Sequence, residues 1–94
     1  MKVVWSPRAI KHLTGLRGYI EADNPNAAAD VVLKIVESVE TLTNQPHSGW
    51  PGRIDGTREL VVPGTPYVIP YRVRAGRLEL IAVFHGKRKW PKRL

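Results

Sequence analysis

Ninety-four residues leave room for one domain and one core. A formal net charge of +7, from 15 Lys and Arg against 8 Asp and Glu, bears on partners more than on fold and points to nucleic acid, an acidic protein or an anionic surface. The absence of cysteine excludes disulfides and thiolate metal sites, and a 43% hydrophobic content excludes a disordered polymer.

Lys2 to Trp5 is β-branched and aromatic and predicts a short first strand, with Trp5 in the core. The apolar run there is too short for a signal peptide. Ser6-Pro7 starts a helix, with serine as N-cap and proline at the first helical position. Ile10, Leu13, Leu16 or Arg17, and Ile20 mark its apolar stripe. Gly15 and Gly18 weaken that helix and suggest that a second backbone approaches there. Asn24-Pro25 caps a second helix, whose stripe of Ala28, Val31, Val32, Ile35, Val39 and Leu42 carries it to about Asn44. The tight break between the two predicts an antiparallel helical hairpin.

Residues 45–56 hold three glycines and two prolines and read as one loop, in which Trp50 is expected to cover the end of the hairpin. Three strands follow, at about 57–62, 67–73 and 77–84. Setting Val62 opposite Tyr67 and Arg74 opposite Arg77 fixes the register. Leu60, Val62, Tyr67, Ile69, Tyr71, Val73, Leu78, Leu80, Ala82 and Phe84 then share an apolar face directed at the hairpin. Thr57, Glu59, Val61, Val68, Pro70, Arg72, Glu79, Ile81, Val83 and His85 share the other. On that face Arg72 lies across from Glu79 and diagonal to Glu59, which predicts an ion-pair cluster rather than a catalytic one. Pro70 cannot donate to a ladder and calls for an edge or a bulge.

The chain closes with His85-Gly86-Lys87-Arg88-Lys89-Trp90-Pro91-Lys92-Arg93-Leu94, which holds five of the 15 basic residues. Arg58, Arg72, His85, Lys87, Arg88, Lys89 and Trp90 are the candidate binding residues, and Arg58 serves equally well as a structural arginine. His12, His47 and His85 show no ligand spacing, so neither a metal nor a cofactor is expected. No stretch approaches the ~20 apolar residues that span a bilayer, so a cytoplasmic protein with no membrane partner is expected.

The order strand, helix, helix, three antiparallel strands and basic tail resembles the RelE/ParE superfamily of bacterial type II toxins. Arg58-Glu59-Leu60-Val61-Val62, Tyr67-Val68-Ile69-Pro70-Tyr71-Arg72-Val73 and Val83-Phe84-His85-Gly86-Lys87-Arg88-Lys89-Trp90-Pro91 carry the resemblance, with Ser6-Pro7-Arg8-Ala9 and Pro46 in support. It implies an α+β domain over residues 1–94, with an N-terminal strand and a helical hairpin packed on a mostly antiparallel sheet. It also implies a hetero-oligomer with an acidic, amphipathic antitoxin.

RelE-like members cleave mRNA on the ribosome without a metal, whereas ParE-like members block DNA gyrase. Arg88 matches the late arginine of the RelE-like enzymes. Val68 stands where those enzymes have a strand arginine, and their late tyrosine falls near Leu94. The pattern is therefore closer to ParE. The alternative is an endoribonuclease using Arg72, His85 and Arg88, with His85 as the one plausible proton-transfer group beside the arginines unless Glu59 or Glu79 serves. A third reading is a non-toxic basic nucleic-acid-binding module.

Overall fold

The computed structural model describes residues 1–93, so the position near Leu94 where a late tyrosine was sought lies outside the described residues. Strand β1 (Lys2–Trp5) leads through Ser6 into helix α1 (Pro7–Asp23). Ser6 Oγ accepts the Ala9 N–H at 3.0 Å and donates to the Ile81 carbonyl at 2.7 Å. The N-cap thus also ties the helix to the sheet. Asn24 ends α1 by donating its N–H to Ile20 and begins α2 (Pro25–Leu42) by accepting the Ala27 N–H. One residue doing both leaves no linker, so the two helices fold against each other as a hairpin.

Ile35, Val39 and Leu42 bury one face of α2 against the sheet, and Ala28 is buried on the same helix. Each large side chain buried there stabilises the fold by roughly 1.5–3 kcal/mol over its exposed state. Helix α1 is shallower, and Ala9 is its one fully buried residue. Its inward stripe is Ala9, Leu13, Leu16 and Ile20, whereas Ile10, expected on that stripe, is 52% exposed. Ala9 and Ile10 both fit a three- or four-residue spacing to Leu13, and the 100° between neighbours decides which faces in. Nothing approaches Gly15 or Gly18, so the expected close backbone contact is absent.

The helices cover one face of a six-stranded sheet, in which five strands follow the order β1-β5-β4-β3-β2 and β6 pairs with β4 off that path. Its strands are β2 (Trp50–Pro51), β3 (Arg58–Val61), β4 (Tyr67–Arg74), β5 (Arg77–Leu80) and β6 (Phe84–His85). β1 joins β5 in parallel; every other pairing is antiparallel. The segment expected to be a plain loop over 45–56 therefore contributes an edge strand at Trp50–Pro51. Trp50 does not cover the hairpin: it is 70% exposed on that edge.

The expected register holds through Arg58–Tyr71, Arg72–Glu79 and Arg74–Arg77. Beyond Leu80 it does not. Extending the β4–β5 ladder would set Phe84 against Tyr67, but β6 pairs Tyr67 with His85 and Val68 with Phe84. One extra residue has entered the last strand as a bulge opposite Pro70, whose missing N–H cannot hold the ladder there. A one-residue shift exchanges faces. Val83 accordingly joins Ile35, Val39 and Ile69 in the main core, while Phe84 packs with Ile54, Val68 and Trp90 on the far side. That far face, expected to be open, is covered at its β3–β4 end by this second apolar cluster.

Candidate binding site at the C-terminal tail

The tail is held by its own chemistry. Gly86 N–H donates to the Pro66 carbonyl at 2.8 Å. The His85 carbonyl accepts both the Arg88 N–H at 3.1 Å and the Trp90 indole N–H at 3.0 Å. The indole ring lies 4.9 Å from Phe84 and is buried. Arg53 closes the arrangement, with its guanidinium 3.6 Å from the Trp90 ring centroid and an N–H to the Gly86 carbonyl at 3.3 Å.

Arg53 is positioned in turn by Glu59. That carboxylate, 8% exposed, accepts the Arg53 backbone N–H at 2.7 Å and two guanidinium N–H groups at 3.1 and 3.3 Å. Its expected partner was Arg72. The loop brings Arg53 closer because Gly52 donates to the Thr57 carbonyl at 2.8 Å and curls residues 52–57 back over β3. A backbone donor with a forked guanidinium satisfies a buried carboxylate better than a diagonal arginine can.

The candidate residues therefore fall into separate places. Lys87, Arg88 and Lys89 are exposed on the pinned turn. Trp90 is the buried anchor beneath them, so its ring is not offered to a partner. His85 accepts the Lys87 N–H at Nδ1, 3.3 Å, and faces Tyr67 edge-on at 6.1 Å. Arg72 donates to Glu79 at 2.7 Å, as its register implies, and Arg74 adds a second contact at 3.4 Å. The Arg72 hydrogen bond holds the Glu79 carboxyl below its ordinary range, and the charges of Arg74 and Arg77 add to this. Arg58 donates to the Gly49 carbonyl at 3.2 Å, which braces the loop before β2.

Two clefts flank the tail. One, of about 590 Å³, lies beside the β1–β5 end of the far face and includes Arg8, Arg72, Lys92 and Arg93. The other, of about 420 Å³, lies between α1 and the tail turn and includes His12, Tyr67, His85, Arg88 and Lys89. Arg72 is thus not in the cleft that gathers His85 and Arg88, and the three do not form one constellation.

Sequence reasoning missed His12, which sits mid-helix with no motif around it. Its Nδ1 accepts the Val83 N–H at 3.1 Å and its ring lies 5.2 Å from Phe84. Burial lowers its pKa from 6.5, and the charges of Arg8 and Lys11 lower it further. Arg53 and Glu59 were likewise not paired in advance. The Arg53-to-Glu59 separation carries no periodic signal, because the loop geometry and not a helix or strand brings them together.

Among the described residues no group of acidic or histidine side chains is placed to hold a metal ion, and no helix is long and apolar enough to cross a membrane. A family profile described as ParE toxin of type II toxin-antitoxin system, parDE, matches residues 3–90. The chain is 44% identical over 90 residues to the Y4kP protein of Sinorhizobium fredii, covering 96% of this chain and 93% of that one. It is 33% identical over 87 residues to Toxin RelE2 of Caulobacter vibrioides, covering 93% and 97%. A chain from the chromosomal ParDE TA system of P. aeruginosa shares the fold with a TM-score of 0.82 at 24% identity, over 90% of this chain and 95% of that one.

Proposed function

The chain belongs to the ParE toxin family of type II toxin–antitoxin systems, and on that footing we propose that it arrests growth by binding DNA gyrase through the pinned basic turn of its tail. A cognate antitoxin, acidic and amphipathic, silences it in the cytoplasm by covering the same cations. The observation that supports this reading is the anchoring of Lys87, Arg88 and Lys89 above buried Trp90. Ordering long cationic side chains on a mobile tail costs conformational entropy at the moment of binding. A turn already fixed by Trp90, Arg53 and Gly86 has met much of that cost in folding.

Steering by such charge raises association rates and falls with salt. No covalent chemistry is required of the chain, which suits the separation of Arg72 from His85 and Arg88.

The test is a gyrase supercoiling assay with the wild-type chain and with K87Q, R88Q and K89Q combined. Inhibition by the wild type and its loss in the triple variant is the expected result. Removing all residues after His85 is a poorer test, because it also deletes Trp90 from the core. Unchanged inhibition by the triple variant would refute the placement of the contact. Site-specific mRNA cleavage in a purified translation system, with no effect on gyrase, would replace this function with that of an endoribonuclease.

A further inference from the structure

The cleft between α1 and the tail turn is chemically one-sided. Among the described residues no carboxylate lines it. Both of its histidines accept a backbone N–H at Nδ1, His12 from Val83 and His85 from Lys87. In the neutral ring the proton then resides on Nε2, so each imidazole has a donor and no free acceptor. Arg88 and Lys89 are donors by nature. The base of the cleft is apolar, with Leu16, Val83 and Phe84. Tyr19 is 78% exposed at its rim.

We propose that this cleft receives an acidic segment of the antitoxin, with a leucine or phenylalanine side chain against Leu16 and Val83 and flanking carboxylates on His12, His85, Arg88 and Lys89. The proposal rests on the reading that a protein antitoxin silences the chain. Charge complementarity favours this occupant, because His12, His85, Arg88 and Lys89 face no acid among the described residues of the cleft and are left to water until an anion arrives. The base sets aliphatic Leu16 and Val83 beside aromatic Phe84 and Trp90, and it is the donor-rich lining that favours a peptide over nucleic acid. A nucleobase presents amino groups that need acceptors, and among the described residues tyrosine hydroxyls are the only side-chain acceptors the cleft offers. An amphipathic peptide needs only the donors and the apolar base that are present.

The probe is a short blocked peptide with glutamates on both sides of a Leu-Phe pair, added to the isotope-labelled full chain and followed by NMR. The peptide should move the ring signals of His12 and His85 together with Leu16 and Tyr19. Tyr19→Glu puts a carboxylate at the rim on an exposed position, and should weaken binding about tenfold through like-charge repulsion. Ile10→Glu, outside the cleft on the same helix, should leave binding unchanged.

The proposal fails if the peptide leaves both imidazole signals in place, or if Tyr19→Glu binds as tightly as the wild type. It fails equally if single-stranded oligouridylate moves those signals and the peptide does not. The antitoxin reading has its own readout in cells. If co-expressing the adjacent reading frames never restores growth to cells making the wild-type chain, that reading falls whatever the peptide does.

Discussion

The guanidinium of Arg53 lies over the Trp90 indole, 3.6 Å from its centroid, and joins the loop before β3 to the basic tail. Glu59 orients the arginine from beneath, and the indole N–H fastens the tail to the His85 carbonyl. The exposed cations of the tail thus depend on a buried aromatic ring and a loop arginine that are distant in sequence.

Trp90→Ala should cost about 3 kcal/mol or more, the usual range for removing a large aromatic from a packed cluster. Trp90→Phe keeps most of the packing and should cost about 1 kcal/mol for the lost bond to His85. Urea denaturation measures both. A double-mutant cycle of Arg53→Ala with Trp90→Phe should show coupling of about 0.5–1 kcal/mol, since the guanidinium is half exposed. Strict additivity would mean that the stacking does not stabilise the tail.

Acid should destabilise the fold through His12. Its pKa is lowered in the folded state, so folding favours the neutral ring. A group of this kind contributes stability that is present above the unfolded value of 6.5 and is lost as pH falls through the folded value. The added proton would have to occupy Nδ1, where the Val83 N–H already donates. His12→Gln should flatten stability against pH in this window. A wild-type curve as flat as the variant's would contradict this account.

Tyr71 should set the alkaline limit of the loop between α2 and β2. Its hydroxyl donates to the Pro46 carbonyl at 2.8 Å and accepts the Gly49 N–H at 2.9 Å. Burial raises its pKa above 10.0, so its stabilising effect is complete below the unfolded value and lost as pH rises through the folded one. Tyr71→Phe leaves a donor and an acceptor unpaired and should cost about 1–3 kcal/mol. Hydrogen exchange at Gly49 should accelerate in that variant; an unchanged rate would mean that the hydroxyl does not hold the loop.

Glycine substitutions should divide by location. Gly15 and Gly18 face open space on α1, so Gly→Ala at either should stabilise by about 0.5–1 kcal/mol through helix propensity. A Cβ on Gly49 would lie 2.9 Å from the Glu59 carbonyl oxygen and inside the contact radius of the Tyr71 hydroxyl. Gly49→Ala should therefore destabilise by more than either helix variant gains. Thermal melts of the three variants give the ordering directly, and a stabilising Gly49→Ala would break it.

The caps and the α2 stripe were legible because each depends on neighbours within a few residues. Ser6-Pro7, Asn24-Pro25 and the run from Ala28 to Leu42 act within one or two helical turns, where residue type nearly dictates conformation. The β3–β4–β5 register was legible for the same reason, since the short turns at Pro63–Pro66 and Ala75-Gly76 leave little choice of pairing. Pro70 left an edge or a bulge open, and did not say on which strand an extra residue would fall.

What the one-dimensional pattern determined was therefore two capped helices, a three-strand ladder with Arg72 across from Glu79, and a surplus of positive charge after the last strand. The tertiary structure alone decided that the bulge would turn Val83 inward and Phe84 outward, and that Trp90 would fold back onto Phe84 under Arg53. It also decided that His12 would share a cleft with His85. The hydrogen bond from Val83 to His12 alone joins residues 71 apart in the chain. The partners in such contacts are chosen by which buried donors, acceptors and apolar faces remain unsatisfied once the local elements have formed, and no periodicity in the chain records that choice.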